Sequence, residues 1–309
     1  MICIGRPRMI TAVAHDAGGA EIVSSYVRQN PGEWIFSLGG PAQAIFERKL
    51  GTVVSTPLEA AIGQGDWVLT GTGWQSDLEW RALDLARSSS KKSVAFLDHW
   101  TNYKVRFRRD DVVHLPDEIW VGDSYAESAA KAVFPAMPIR LVANPYLNDV
   151  VAEVEAASRS APPKRHRDTQ RILYVCEPIR AFAEQSGQYW GYDEFQALGF
   201  FLQNVHRVTS RVHIIVVRPH PADPPGKYQD FLGEFPTLPI TLSASGPLAE
   251  DIAAADLVVG CESMALVAAL AAGRRVISCI PHGGKPCSLP HEKIEHLTGF
   301  GDGMPLRPV

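Results

Sequence analysis

The sequence has few cysteines, and none are arranged as a disulfide framework or a zinc site. Its five cysteines lie far apart, no two form a C-x-x-C pair, and their odd number leaves at least one unpaired. Disulfide-rich secreted domains and structural zinc sites both need closely spaced cysteines. The spacing argues against both and is typical of a protein kept in a reducing cytoplasm.

Long apolar runs are also missing. No segment approaches the about 20 consecutive apolar residues that a membrane-spanning helix needs. The first eight residues lack the basic region and apolar run of a secretory signal peptide. We therefore expect a soluble, cytoplasmic protein with no transmembrane segment, for which a peripheral contact with a membrane stays open.

An excess of positive charge is absent as well. Lysine and arginine number 30 against 34 acidic residues, so the formal net charge is −4 and predicts no nucleic-acid partner. No H-E-x-x-H or D-x-D pair is present, and the ten histidines have no ligand spacing, so no metal is implied. The dinucleotide fingerprint G-x-G-x-x-G is missing too, which disfavours NAD, and we expect no cofactor.

What the sequence does contain is a repeated alternation of short apolar strands and helical patterns. Buried strands such as Met9–Ala14 and Trp67–Thr70 are each followed by a helix, and the alternation starts again at Arg171. Strand–helix alternation of this kind implies parallel sheets covered on both faces. We predict an α/β fold of two Rossmann-like domains whose sheets face a central cleft, where paired domains of this kind bind ligands.

The composition changes between the two alternating halves. Residues 156–170 are polar, proline-containing and rich in small side chains, which is typical of a linker. We predict an N-terminal domain over residues 1–155, expected to carry the acceptor and base, and a C-terminal nucleotide-donor domain over residues 171–309.

The first motif, residues 15–21, follows the first strand. Its glycines, Gly18 and Gly19, allow a tight turn and a close approach to a ligand, and the next helix offers free N–H groups to an anion. Asp16 is the leading candidate for a general base, because a carboxylate in such a loop can take a proton from a hydroxyl group. The alternative is a plain strand–helix turn with Asp16 as the capping residue.

The second motif, residues 97–107, also follows a strand and combines an acid, an imidazole, aromatic rings and cations. Asp98 and His99 are reserve candidates for the base. The aromatic rings suit a sugar, but their spacings of three and four residues equally fit side chains packed in the core.

Two further motifs lie in the second half. Residues 218–225 hold Arg218 and His220 at a strand end between prolines, where both side chains can bind a phosphate. Residues 258–273 end a strand at Gly260 and open a helix with Glu262 and Ser263. Ser263 and the helix amides can receive phosphate oxygens and Glu262 ribose hydroxyls, although both side chains also suit a helix cap.

With these residues in view, the chain resembles the GT-B superfamily. It is similar to bacterial sialyltransferases and polysialyltransferases and to glycerophosphotransferases of teichoic acid synthesis. The resemblance rests on the HP pair of His220 and Pro221 and on the segment from Gly260 to Ser263. It implies that His220 and Ser263 bind the phosphate of a cytidine-type donor. The acidic motif that supplies the base in polysialyltransferases is not recognisable, and their paired serines are replaced by Glu262 and Ser263.

These patterns together favour a metal-independent glycosyltransferase of bacterial surface polysaccharide or glycoconjugate synthesis. Its partners would be a nucleotide-sugar donor, for which a CMP-sugar is favoured, and a carbohydrate acceptor. The segment from Glu262 also resembles UDP-GlcNAc 2-epimerases and related hydrolases, so a nucleotide-sugar epimerase or hydrolase is an alternative. A nucleotide-binding relative without activity is another, and the oligomeric state stays open.

Overall fold

The computed structural model describes residues 8–160, 169–244 and 246–300. The chain divides into two compact units, Met1–Asp149 and Val150–Val309. Each unit contains a six-stranded parallel sheet with helices, which confirms the predicted α/β class. Most of the predicted linker, residues 161–168, lies outside the described residues, and the part that precedes it belongs to a helix that continues to Ser160.

The first unit is built on a sheet in the order β2-β1-β3-β4-β7-β8, with every neighbouring pair parallel. The last four residues of β1 are fully buried, because helices cover both faces of the sheet. The strands are β1 (Met9–Ala14), β2 (Glu33–Leu38), β3 (Trp67–Thr70), β4 (Lys92–Leu97), β7 (Glu118–Val121) and β8 (Ile139–Leu141).

The helices of the first unit connect these strands in the order expected of parallel crossovers. A short insertion after β4, which the sequence did not predict, contains α5 and the antiparallel pair β5 (Arg108–Arg109) and β6 (Val112–Val113). The helices are α1 (Ala17–Gln29), α2 (Ala42–Leu50), α3 (Leu58–Gln64), α4 (Leu78–Ser88), α5 (Tyr103–Arg106), α6 (Ser124–Val133) and α7 (Pro145–Ser160), the last of which continues into the second unit.

The second unit has the sheet order β11-β10-β9-β12-β13-β14, again with parallel pairs. The sequence did not predict its short last strand. The strands are β9 (Gln170–Val175), β10 (Val212–Arg218), β11 (Ile240–Leu242), β12 (Leu257–Gly260), β13 (Arg275–Ser278) and β14 (Glu295–His296). The helices are α8 (Ile179–Ser186), α9 (Glu194–Val208), α10 (Gln229–Leu232), α11 (Leu248–Ala254) and α12 (Met264–Ala271), and a 3₁₀ turn, Leu297–Gly299, follows.

Each sheet has one point where the strand order reverses. In the first unit the chain leaves to opposite sides at β1 and β3, and in the second unit it does so at β9 and β12. Open parallel sheets bind ligands beyond the carboxyl ends of the strands at such a point. The loops that follow these four strands are therefore where functional side chains are expected.

Candidate functional site

At the reversal point of the second unit, a carboxylate accepts hydrogen bonds from the backbone amides that precede α12. Glu177, which follows β9, accepts the N–H groups of Cys261, Glu262 and Ser263 on Oε1 at 3.0, 2.8 and 3.1 Å. The sequence predicted this segment as a phosphate site. Three converging amides do form a nest for an anion, and in this structure the anion is the protein's own side chain.

The environment of Glu177 disfavours its charged form. Burial raises the pKa of its carboxyl to about 7, and the neighbouring carboxylate of Glu262 acts in the same direction, while the three amide hydrogen bonds oppose the rise. A carboxyl with a pKa near neutrality changes charge in the physiological pH range. The charge at this strand end is therefore sensitive to pH.

The remaining residues of this segment have local partners. Ser263 caps α12 by accepting the N–H of Ala265 on Oγ at 3.2 Å, so the predicted capping role is confirmed. Its hydroxyl hydrogen is not used in that bond and can still be donated. At Gly260, an added Cβ would lie 2.7 Å from a methyl carbon of Val175, so the close packing of β12 against β9 requires glycine there.

Glu262 belongs to a small cluster with a cation and an aromatic ring. Its carboxylate pairs with the ammonium of Lys285 and accepts the N–H of Ser288 at 3.0 Å. The ammonium lies 3.3 Å from the centroid of the Trp190 ring, a cation–π contact. Glu262 is thus fixed in place at the carboxyl edge of the sheet.

Arg218, at the end of β10, is held by an ion pair within the unit. Its Nη1 lies 2.6 Å from Oδ2 of Asp251, and its Nη2 donates to the carbonyl of Gly246 at 2.9 Å. The hydroxyl of Ser243 donates to the same carboxylate oxygen. Much of the positive charge predicted to meet a phosphate is therefore balanced by Asp251.

His220 is held in one orientation by its own turn. Its backbone N–H donates to Asp223 at 2.8 Å, and its Nδ1 accepts the N–H of Ala222 at 3.1 Å. Because Nδ1 accepts, the proton of the neutral ring lies on Nε2. Burial lowers the pKa of the ring, which favours this neutral form with an N–H donor at Nε2.

At the reversal point of the first unit, His15 and Asp16 form a hydrogen-bonded pair. Nδ1 of His15 lies 2.8 Å from Oδ1 of Asp16, whose Oδ2 accepts the N–H of Trp74 at 3.2 Å. The backbone N–H of His15 donates to the buried carboxyl of Glu79 at 2.7 Å. Asp16 is the N-cap residue of α1, but its side chain makes no capping hydrogen bond to the helix.

Gly18 and Gly19 allow the start of α1 to pack closely against the loops after β3 and β4. A Cβ at Gly18 would lie 1.9 Å from Oδ2 of Asp98, and one at Gly19 would lie 3.0 Å from the backbone nitrogen of Thr72. The space predicted for a ligand beside these glycines is thus filled by the loops after β3 and β4. Their lack of a side chain serves this close packing.

Asp98 is balanced by a buried arginine. Its Oδ1 accepts the hydroxyl of Thr72 at 3.1 Å and is ion-paired with Arg106, whose side chain is only 4% exposed. Arg106 also donates to the hydroxyl of Thr72 at 2.7 Å, and the ring of Trp74 lies 5.1 Å from its guanidinium carbon. This network fixes the carboxylate and leaves it little freedom to take part in proton transfer.

The aromatic residues of the same loop are part of the core. Trp100, Tyr103 and Phe107 are all buried, which confirms that their spacing reflects packing. His99 lies beside Trp100 and meets the hydroxyl of Thr101 with Nδ1 at 3.2 Å. Trp74, outside this motif, has an exposed ring, and its backbone N–H donates to Asp16.

Several residues of these networks were not identified from sequence. Glu177 directly follows a predicted strand, and this position alone could have marked it. His15 stands in the first motif but was not selected beside Asp16. Arg106 lies in the second motif, eight positions after Asp98, but was not selected. Glu79 and Asp251 lie 64 and 33 positions along the chain from His15 and Arg218, and no local pattern indicates them.

Comparison with solved structures identifies the fold. The UDP-GlcNAc 2-epimerase of Methanocaldococcus jannaschii superposes with a TM-score of 0.58 at 10% identity, over 87% of this chain and 83% of that one. The UDP-GlcNAc 2-epimerase of Neisseria meningitidis bound to UDP-GlcNAc gives 0.57 at 8% identity, over 89% and 83%. The glycotransferase of kitacinnamycin gives 0.53 at 14%, over 91% and 82%. The fold is of the GT-B kind.

The similarity is confined to structure. No protein-family model matches the sequence, and no curated protein matches it. At these identities the solved structures establish the architecture of the GT-B-like chain, and its activity has to be argued from its own residues. In the described ranges, no helix is long and apolar enough to cross a membrane.

Proposed function

We propose that this GT-B-like chain is a glycosyltransferase that uses a nucleotide-activated sugar, with a CMP-sugar favoured, in bacterial surface polysaccharide or glycoconjugate synthesis. The observation that carries the proposal is the orientation of His220. Its Nδ1 accepts the N–H of Ala222, so a neutral imidazole presents Nε2–H at the carboxyl edge of the second sheet. A donor of this kind stabilises the charge of a leaving phosphate without itself giving up a proton.

Ser263 is a second ligand for this phosphate in the proposal, and it lies on the opposite side of β9 from His220. Its Oγ accepts the N–H of Ala265, which leaves its O–H to be donated to a phosphate oxygen. The strands that carry His220 and Ser263, β10 and β12, both pair with β9, so their ends are separated by about 10 Å. Arg218, partly neutralised by Asp251, adds charge at the same edge.

In this proposal the reaction is a single displacement that needs no metal. A base takes the proton of an acceptor hydroxyl, and His220 and Ser263 stabilise the charge of the departing nucleotide. Asp16 is the proposed base that receives this proton, whereas Asp98 is held by an ion pair with Arg106. Glu262, fixed by Lys285 and Ser288, is suited to accept hydrogen bonds from ribose hydroxyls.

A turnover assay tests the proposal and separates it from its alternatives. The protein is incubated with CMP-N-acetylneuraminic acid or UDP-GlcNAc, with and without 4-nitrophenyl glycosides as acceptors, and products are identified by mass spectrometry. Acceptor-dependent transfer supports the proposal. Epimerised or rapidly hydrolysed sugar without acceptor would favour the epimerase or hydrolase, and nucleotide binding without turnover would favour the inactive relative. His220→Ala should abolish turnover, while replacing the exposed His206 on α9 should not.

A further inference from the structure

A buried ion-pair network lies next to the turn that carries His220. Nζ of Lys227 lies 2.6 Å from Oδ1 of Asp223 and 2.5 Å from Oε1 of Glu194, the first residue of α9. Only 2% of each carboxylate side chain and 15% of the lysine side chain are exposed. One ammonium is therefore shared by two buried carboxylates, which would repel each other without it. These three residues are called the Lys227 network.

One end of the Lys227 network holds the backbone of His220. Oδ2 of Asp223 accepts the N–H of His220 at 2.8 Å, and the N–H of Asp223 donates to the carbonyl of His220 at 2.8 Å. The hydroxyl of Tyr228 donates to the same Oδ2 at 3.2 Å. Gly226 has a φ of +80°, which glycine adopts readily, and the lysine after it meets Asp223. Both oxygens of this carboxylate are occupied, so its position fixes the turn.

The other end of the network is bonded to a different loop. Oε2 of Glu194 accepts the backbone N–H of Arg180, in the first turn of α8, at 2.9 Å. Arg180 follows β9 and His220 follows β10, so the network joins the ends of two neighbouring strands. Both ends are bonded to backbone amides, and moving Lys227 would leave buried charges unpaired.

The charges of the network also act on the ring of His220. Burial lowers the pKa of this ring, the carboxylate of Asp223 opposes the change, and the ammonium of Lys227 acts in the same direction as burial. The neutral ring is the form that accepts the N–H of Ala222 on Nδ1 and donates from Nε2. Lys227 therefore favours the protonation state that the phosphate contact needs.

We propose that Asp223 and Lys227 are positioning residues for His220, in which Asp223 holds the backbone of the turn and Lys227 holds Asp223. This deepens the proposed function and rests on it, because His220 is the proposed phosphate ligand. Neither positioning side chain contacts the nucleotide. The apparent affinity for a nucleotide falls in proportion to the fraction of time that the turn spends in its binding orientation, so loosening the turn weakens binding.

The test compares four variants by isothermal titration calorimetry with CMP and UDP. Asp223→Ala removes the acceptor of the His220 N–H. The double variant Lys227→Met with Glu194→Gln removes one positive and one negative charge, so the net charge of the network is kept. Both should weaken nucleotide binding by about tenfold or more. Lys227→Arg keeps the cation and should retain more affinity than the double variant, and Lys131→Met, which changes an exposed lysine on α6, should match the wild-type protein.

Two NMR measurements separate positioning from a contribution to stability alone. The backbone N–H of His220 should be protected from hydrogen exchange in the wild-type protein and in Lys131→Met, and should exchange faster in Asp223→Ala and in the double variant. The pKa of the His220 ring should rise in the double variant, because the nearby ammonium is removed and the ring becomes more accessible to water. Neither measurement needs a bound nucleotide.

Two results would overturn the assignment. One is a lower free energy of unfolding in Asp223→Ala and the double variant with an unchanged nucleotide Kd, which a purely structural role predicts. The other is an unchanged exchange rate of the His220 N–H in both variants. If the wild-type protein binds neither nucleotide while the exchange rate and the ring pKa respond as expected, the nucleotide function is refuted and the positioning of His220 stands.

Discussion

Oε1 of Glu177 lies 2.8 Å from the backbone nitrogen of Glu262 and accepts its N–H. This bond joins the end of β9 to the loop after β12, the two strands at which the second sheet reverses its order. An anion site at a reversal point is usually open to a ligand. Here an internal carboxylate already satisfies these amides, so the donor phosphate is expected to depend on His220 and Ser263.

Replacing Glu177 with glutamine should change the pH dependence of stability. Its carboxyl pKa rises from 4.5 to about 7 on folding, so the folded state binds the proton more tightly than the unfolded state. The free energy of unfolding should fall as pH rises between these values, by at most about 3 kcal/mol for this group. Glu177→Gln removes this titration. Its free energy of unfolding should therefore exceed that of the wild-type protein by more at pH 8 than at pH 4.

Urea unfolding at the two pH values measures this difference. Glu155→Gln, which changes an exposed carboxylate on α7, is the matched control and should behave alike at both pH values. A stability difference for Glu177→Gln that is the same at pH 4 and pH 8 would refute the shifted titration.

Arg218 and Asp251 should be energetically coupled. Their ion pair is mostly buried, with 21% and 18% of the side chains exposed. A double-mutant cycle of Arg218→Ala and Asp251→Ala should give a coupling free energy of about 1–3 kcal/mol in chemical denaturation. Additive effects would mean that Asp251 does not hold the guanidinium and that Arg218 is free for a phosphate.

Removing the carboxylate of Asp98 should destabilise the first unit strongly. Asp98→Ala leaves the buried charge of Arg106 without its partner, which costs about 3–5 kcal/mol. Asp111→Ala is the control, because its pair with Arg108 is exposed and such pairs contribute about 1 kcal/mol or less. Equal losses of unfolding free energy in the two variants would contradict the structural role of Asp98.

Gly73 should not tolerate a side chain. A Cβ there would lie 2.1 Å from Oδ2 of Asp16, so Gly73→Ala must displace that carboxylate and should cost about 1–3 kcal/mol. Gly63→Ala is the control, because Gly63 lies in α3 with open space around an added Cβ, and alanine favours the helix by up to about 1 kcal/mol. Thermal unfolding of both variants checks this, and an unaffected Gly73→Ala would show that Asp16 is not held at that loop.

The sequence was sufficient for the architecture. Strands such as β1 and β12 are largely apolar runs that are followed by a polar residue or end in glycine, and parallel sheets bury such runs on both faces. The loops that carry His15, His220 and Ser263 were found for the same reason, because they directly follow strands.

The contacts between side chains within the site could not be predicted from the sequence. Arg218 meets Asp251, 33 positions later, and Glu177 meets Glu262, 85 positions later. These contacts depend on which strands become neighbours and on how helices pack over them. A local pattern therefore marks Ser263 as a phosphate ligand and a cap alike, and only the folded chain shows that Glu177 already occupies the adjacent amides.

In the proposed function, the carboxyl edge of the second sheet binds a nucleotide through His220. Isothermal titration calorimetry tests this binding most directly. CMP, CDP, UDP, GDP and NAD are titrated into the wild-type protein, His220→Ala and His206→Ala. We expect a pyrimidine nucleotide to bind most tightly, His220→Ala to weaken it at least about tenfold, roughly 1.4 kcal/mol, and His206→Ala to leave it unchanged. Binding of NAD alone, or equal nucleotide affinity in His220→Ala, would contradict the claim.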